Sequence, residues 1–230
     1  MISSLAASGS SCLRDNAWIC PEYLDSRQER LLDATTQHIV ITLAAVALGI
    51  VVAVPLTLLA RRYRRTESLV LGVSTALYTV PSLAMFSLLL PYLGLTTTTV
   101  IIGLALYSLT ILVRNMLTGL AGVPNDVKEA ATGMGYGPGR LLVKVEVPLA
   151  LPTIMAGIRV ATVSTVALTT IGAIVGFGGL GNLLYESIRT RFKAEILTAS
   201  VICVVLAVVL DLVLLGAQKL LTPWTRGAAA

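Results

Sequence analysis

Long apolar runs alternate with short polar gaps along this chain. Residues from Ile39 to Ala60 carry no charge, and as a helix they are long enough to cross the roughly 30 Å hydrocarbon core of a bilayer. Pro55 near the end of that run predicts a bend, and Arg61, Arg62, Arg64 and Arg65 stop it abruptly. A second run, 68–90, is interrupted by Pro81 and leaves through the turn sequence Pro91-Tyr92-Leu93-Gly94. A third, 97–113, ends at Arg114; a fourth covers 149–175 and a fifth 196–215. The pattern predicts an all-α polytopic membrane protein with about five transmembrane helices. No period of 20–50 residues recurs, so a solenoid or repeat array is excluded.

Composition agrees with that reading. Of 230 residues 56% are hydrophobic and 13% charged, more apolar surface than a soluble domain of this length can hide. The net charge of +5 reads as basic residues retained in cytoplasmic loops rather than as a nucleic-acid surface. Segments 61–65 and 114–144, with Arg159, Lys219 and Arg226, hold eleven of the seventeen Lys and Arg residues. Segments 1–34 and 177–195 hold the other six, offset by seven acids. The asymmetry predicts an extracytoplasmic N-terminal leader over 1–34 and a cytoplasmic C-terminal tail over 220–230. The leader reads as short and exposed, with Trp18 and Tyr23 at the membrane interface, and without the basic start or apolar core of a signal peptide.

Cys203 lies in an apolar run and reads as a packing residue. Cys12 and Cys20 could pair if the leader is outside the cell, but spacing alone does not establish the geometry. No Gly-x-x-x-x-Gly-Lys-Ser/Thr stretch is present, so the chain has no P-loop for a nucleotide. His38 is the one histidine. It argues against a zinc site and reads as an interfacial polar residue at the lip of the first span rather than as a catalytic base.

Asp126 to Pro152 is the only long polar, Gly-rich interruption, with Lys128, Arg140 and Lys144 beside Asp126, Glu129 and Glu146. Asp126 and Glu129 fit a capping box for a short helix, and Ala130 and Ala131 give it a strongly helical surface with little side chain. Gly133 and Gly135 end that helix, Gly137-Pro138 starts a second one through Val145, and Pro148 and Pro152 reset the chain direction into the fourth span. Local physics leaves two readings open: a docking element for a partner, or a cytoplasmic loop of two amphipathic turns.

Glu129-Ala130-Ala131, three residues, Gly135, nine residues and Val145-Glu146-Val147-Pro148 resemble the EAA loop of ABC importer permeases. The departures are valine at 145 and 147, where that pattern has isoleucine and leucine. Thr79 to Ala84, Arg114-Asn115, Thr118 to Leu120, Gly133 to Gly135, Met155 to Arg159 and Gly178 to Gly181 further resemble the permeases for osmoprotectants such as glycine betaine, choline, carnitine and proline betaine. The similarity covers roughly Thr35 to Gly216, which would be one type I ABC permease domain over 35–219 with the coupling loop at 124–148.

The resemblance implies a transport subunit without catalysis of its own in a bacterial or archaeal inner membrane. Its partners would be a second permease chain, two ATP-binding subunits that hold the ATP and Mg, an extracytoplasmic substrate-binding protein and lipid, but no nucleic acid. It also implies that Asp126, Glu129, Ala130, Ala131, Gly135 and Pro148 form the ATPase-coupling element. Gly178, Gly179 and Gly181 become a candidate outer gate, against the alternative of a flexible helix end. Tyr185, Glu186, Arg189, Arg191 and Lys193 beyond them are candidates for holding the binding protein. Arg159 and Asp211 are charges at membrane depth, which is costly. They either pair across the fourth and fifth helices, or Arg159 snorkels and Asp211 faces water at its helix end. Aromatics make up 5% of the chain, and no span offers a convincing cluster for a quaternary ammonium group. High-affinity selection is therefore expected in the binding protein. A methionine-type permease, a self-contained channel and a membrane scaffold are the alternatives.

Overall fold

The computed structural model describes residues 11–224, and these fold into ten α-helices. In order they are α1 (Pro21–Ser26), α2 (Gln28–Arg62), α3 (Arg64–Thr79), α4 (Ser82–Leu93), α5 (Thr97–Ala121), α6 (Asn125–Gly133), α7 (Pro138–Leu141), α8 (Val147–Thr169), α9 (Leu180–Thr190) and α10 (Lys193–Leu221). The end of the predicted tail, including Arg226, lies outside the described residues.

Four helical runs are long and apolar enough to cross a membrane: Gln28–Arg62, Thr97–Ala121, Pro138–Val175 and Lys193–Leu221. A fifth crossing is reached if α3 and α4, bent by 98° at their junction, count as one span. The bend has a local cause. Pro81 lacks the N–H that would continue the helix, and it drives Val80 out of the helical region to φ −63°, ψ 126°. The Tyr107 hydroxyl of α5 donates to the freed Val80 carbonyl.

Helix lengths depart from the sequence reading in instructive ways. The third apolar helix does not stop at Arg114; it runs to Ala121. Arg114 is exposed and reaches Thr75 of α3 at 3.4 Å, so its charge leaves the core without breaking the backbone. The chain leaves α5 only as it approaches Pro124. Residues 28–34, expected in the leader, belong to α2. Pro148 and Pro152 do not redirect the chain either. From Pro138 to Val175 the backbone stays helical, passing from α7 through a π turn at Leu142–Glu146 into α8, then a 3-10 turn at Thr170–Val175. Val147 donates to Leu142, five residues back, and this wider turn accommodates the missing N–H of Pro148.

Helix α5 is the centre of the bundle, packed against α2, α3, α4 and α8. Its apolar window is 56% buried, whereas that of α10 is 11% buried, so α10 lies at the periphery with most of its apolar surface open. Small residues bring the helices close, as membrane helices require. A Cβ on Gly157 would sit 2.4 Å from Asn115 of α5, and one on Gly49 would sit 2.1 Å from Ser108 Oγ.

The described part of the leader is not a loose exposed segment. Cys12 and Cys20 form a disulfide with Cα atoms 5.5 Å apart. Tyr23, expected at the membrane interface, is 2% exposed and meets Phe192 edge to face at 5.3 Å. Asn16 clasps the α9–α10 turn, donating to Arg191 O at 2.9 Å and accepting from Lys193 N at 2.8 Å. Trp18 stays exposed, with Lys193 Nζ 6.0 Å over its ring.

Candidate functional site

The coupling-loop candidates sit on α6 and the turn after it. Pro124, not Asp126, occupies the N-cap of α6, and no side chain caps it. The capping box read from the sequence is therefore not formed. Asp126 instead lies in the first turn, where its charge favours the positive end of the helix. The far end closes as expected for a glycine stop. Gly135 takes φ +84°, its N–H bonds to Thr132 O at 2.9 Å, and the Tyr136 N–H reaches back to Ala131 O at 3.1 Å. This is the Schellman closure that a left-handed residue permits.

Asp126, Glu129, Ala130 and Gly135 are exposed. Ala131 is not: it is 2% exposed, the one buried residue of α6, on a helix that packs on α7 and the π turn. The two alanines thus divide the work. Ala131 seats the helix on its own loop, and Ala130 is left to face outward. Pro148 is half-buried in α8.

No pattern along the chain warns of what anchors this loop. Glu146, within the π turn, is 1% exposed, and Arg61 of α2 donates to its Oε1 at 2.5 Å. Arg61 itself retains 35% side-chain exposure. The loop is thereby tied by a charged bond to the C-terminal end of the first long helix. The arginine quartet after Ala60 was legible as a stop signal, but not as a partner for Glu146.

Arg159 and Asp211 meet. Arg159 Nε lies 2.9 Å from Asp211 Oδ1 and its terminal nitrogen 2.7 Å from Oδ2, a two-pronged contact between α8 and α10 of the kind that fixes orientation as well as charge. The contact decides between pairing and separate solvation. We expect Arg159→Asp and Asp211→Arg each to lower the yield of folded protein extracted from membranes. The double variant should recover most of it, as measured by size-exclusion profile. A double variant no better than the singles would sink the pairing.

At the opposite end of the bundle, Gly178, Gly179 and Gly181 are buried rather than loose. They form the crossing of α2, the 3-10 turn and α9. A Cβ on Gly178 would lie 2.4 Å from Ala173 N, on Gly179 2.7 Å from the His38 backbone, and on Gly181 2.2 Å from Thr170 O. Asn182 staples the turn, accepting from Gly178 N at 3.0 Å and donating to Gly176 O at 3.1 Å. His38, expected at an interface, is 0% exposed beneath Gly179, with Nε2 3.0 Å from Val166 O. A flexible helix end does not describe this junction.

Of the polar residues beyond it, Tyr185, Glu186, Arg189, Arg191 and Lys193 are all exposed. Glu186 is bonded to Arg30 of α2, which also lies 3.6 Å from Glu195. Burial, with the Glu195 carboxylate adding to it, pushes the Tyr23 phenol up to about 12.

Comparison with known proteins adds to this geometry. Residues 39–227 match the model of the binding-protein-dependent transport system inner membrane components. The choline transport system permease protein OpuBB of Bacillus subtilis is 36% identical over 202 residues, covering 88% of this chain and 93% of that protein. The carnitine transport permease protein OpuCB of Listeria monocytogenes is 37% identical over 201 residues, covering 87% and 92%. The osmoprotectant import permease protein OsmW of Salmonella typhimurium is 37% identical over 198 residues, covering 84% and 92%. Among solved structures, the inward-facing MetNI methionine ABC transporter superposes with a TM-score of 0.76 at 19% identity, covering 86% of this chain and 99% of that one. At that identity the superposition speaks for the fold.

Proposed function

Because the chain belongs to the family of binding-protein-dependent transport system inner membrane components, we propose that it is the permease subunit through which an osmoprotectant of the glycine betaine, choline, carnitine or proline betaine type enters a bacterial or archaeal cell. The observation that carries the solute class is identity of 36–37% over most of the chain to permeases named for choline, carnitine and osmoprotectants. The methionine alternative has only the shared fold behind it.

In this reading the chain pairs with a second permease chain, identical or related. Two separate ATPase subunits bind ATP and Mg, and an extracytoplasmic binding protein delivers the solute. The exposed edge of α6, Asp126 to Ala130, enters a cleft of the ATPase. Movement there passes through the Arg61–Glu146 contact into α2 and directly into α8, and alternating access follows. The Gly178–Gly181 junction is the outer gate. Charge asymmetry supports an outward N-terminus, and so does the Cys12–Cys20 bridge, because disulfides persist in oxidising compartments.

Affinity purification from native membranes tests the class. An ATP-binding protein should copurify near stoichiometry, and Ala130→Arg should lose it while the permease stays in the membrane. The cognate purified binding protein should bind a betaine-type solute and not methionine. Solute conduction by the reconstituted permease alone, or preference of the binding protein for methionine, would overturn the proposal.

A further inference from the structure

The α3–α4 break brings together two tyrosines that no stretch of sequence displays as a cluster. Tyr78, in the last turn of α3, meets Tyr107 of α5 edge to face, with ring centroids 6.0 Å apart. Among the described residues it is the one such ring pair between helices of the apolar bundle. Tyr107 is 5% exposed and its hydroxyl is committed to Val80 O. It is the eleventh of the 25 residues of α5, which places the pair about 15 Å along a helix some 37 Å long, near its middle. Tyr78 is 46% exposed.

That exposure is informative because of its surroundings. Thr79 and Arg114 are exposed on the same side of the break, and Arg114 reaches Thr75 one turn below Tyr78. An exposed phenol near mid-helix is costly against lipid chains, and the Arg114 guanidinium, at the eighteenth of the 25 residues of α5, needs a polar outlet on the same face, so this face borders water or a polar partner. The α3 helix also ends here, and the last carbonyls of a helix carry its negative end. A trimethylammonium group has no N–H to donate. It cannot be held by the hydrogen bonds that seat an ordinary amine, and it is recognised by ring faces and diffuse negative potential. The break supplies the ring and the helix end, while the Arg114 guanidinium one turn below opposes a bound cation and keeps the site weak.

We propose that Tyr78, braced by Tyr107, is a low-affinity waypoint for the trimethylammonium head of the solute on its way through the permease. The inference rests on the betaine-type reading above and adds to it a contact inside this chain. Tyr107 is a positioning residue, holding both the Tyr78 ring and the open Val80 turn; Tyr78 makes the contact. A weak site suits a passage, since a solute held tightly at mid-membrane would not be released.

The test uses the assembled transporter, with ATPase and binding protein, in proteoliposomes, and follows labelled choline uptake together with ATP hydrolysis. Tyr78→Leu is expected to lower the choline moved per ATP hydrolysed about tenfold, the loss of one good cation–ring contact, whereas Tyr78→Phe, which keeps the ring face, should lose less than about threefold. Equal losses in the two variants, or hydrolysis falling in step with uptake in Tyr78→Leu, would assign Tyr78 to helix packing or to the second permease chain and overturn the waypoint. So would normal uptake by Tyr78→Leu. A wild-type transporter that imports methionine and no betaine-type solute would instead defeat the solute reading on which the waypoint rests, and this outcome is read before any variant is made.

Discussion

Replacing Gly179 by alanine is expected to leave little folded, transport-competent protein. Gly179 sits at φ +56°, ψ −120°, a conformation that is essentially glycine's alone and costs another residue about 1–3 kcal/mol. The added methyl would also lie 2.7 Å from N, Cα and Cβ of His38. Those are mostly backbone atoms of a long helix, so no side-chain rotation relieves the overlap. Either α2 moves away from the junction or the glycine turn opens, and His38 would lose its seat against Val166 O in both cases. Thermal unfolding in detergent and solute uptake both report the damage. Gly176→Ala is the control for a positive φ without overlap, because Gly176 has φ +88°, ψ 0° and nothing within 4 Å of its would-be Cβ. Should Gly179→Ala prove as stable as Gly176→Ala, the close approach of α2 to the glycine turn is wrong.

The second large effect is an asymmetry between two partners of one bond. Arg61→Met is expected to destabilise by about 3–5 kcal/mol, because it strands the buried Glu146 carboxylate without a counter-charge. Glu146→Gln should cost much less. Arg61 is 35% exposed at its side chain and can turn to water, while glutamine keeps the shape and a hydrogen-bonding oxygen. The double variant Arg61→Met, Glu146→Met should regain most of the loss from Arg61→Met, since an apolar pair of similar volume is often as stable as a buried ion pair. Chemical or thermal unfolding of the purified chain ranks the three. Glu146→Gln as damaging as Arg61→Met would mean that Arg61 has another role at this end of the bundle.

The sequence was a good guide to the plan and a poor one to contacts between distant elements. The apolar runs and the arginine quartet located the first helix, because Tyr63 breaks the backbone where the charges begin. Pro81 announced an interruption, though not its 98° angle, which depends on what α4 packs against. Arg114 was misleading as a stop, since a long side chain can escape sideways from an unbroken helix. His38 and Ala131 were misplaced for one reason. Each is buried by a segment whose position a linear reading does not supply: Gly179, far along the chain, for His38, and the folded-back turn for Ala131. The ties Arg61–Glu146 and Arg159–Asp211 span 85 and 52 residues. Arg159 and Asp211 could be named as a possible pair because each is a charge at membrane depth, whereas Glu146 and Arg61 both lie in polar stretches and only the fold joins them.

The unbroken run from Pro138 to Val175 bears on how any signal would travel. At 38 residues it is about 57 Å from end to end, beginning in the loop that carries α6 and ending against the glycine turn over His38. Pro148, the obvious place for a joint, is absorbed into a wider coil instead. A continuous helix passes tilt or axial rotation from one end to the other, and the π turn and the 3-10 turn are the two places along it that can flex. How closely the two ends keep step would then be set by the stiffness of those two turns, not by the length of the rod between them.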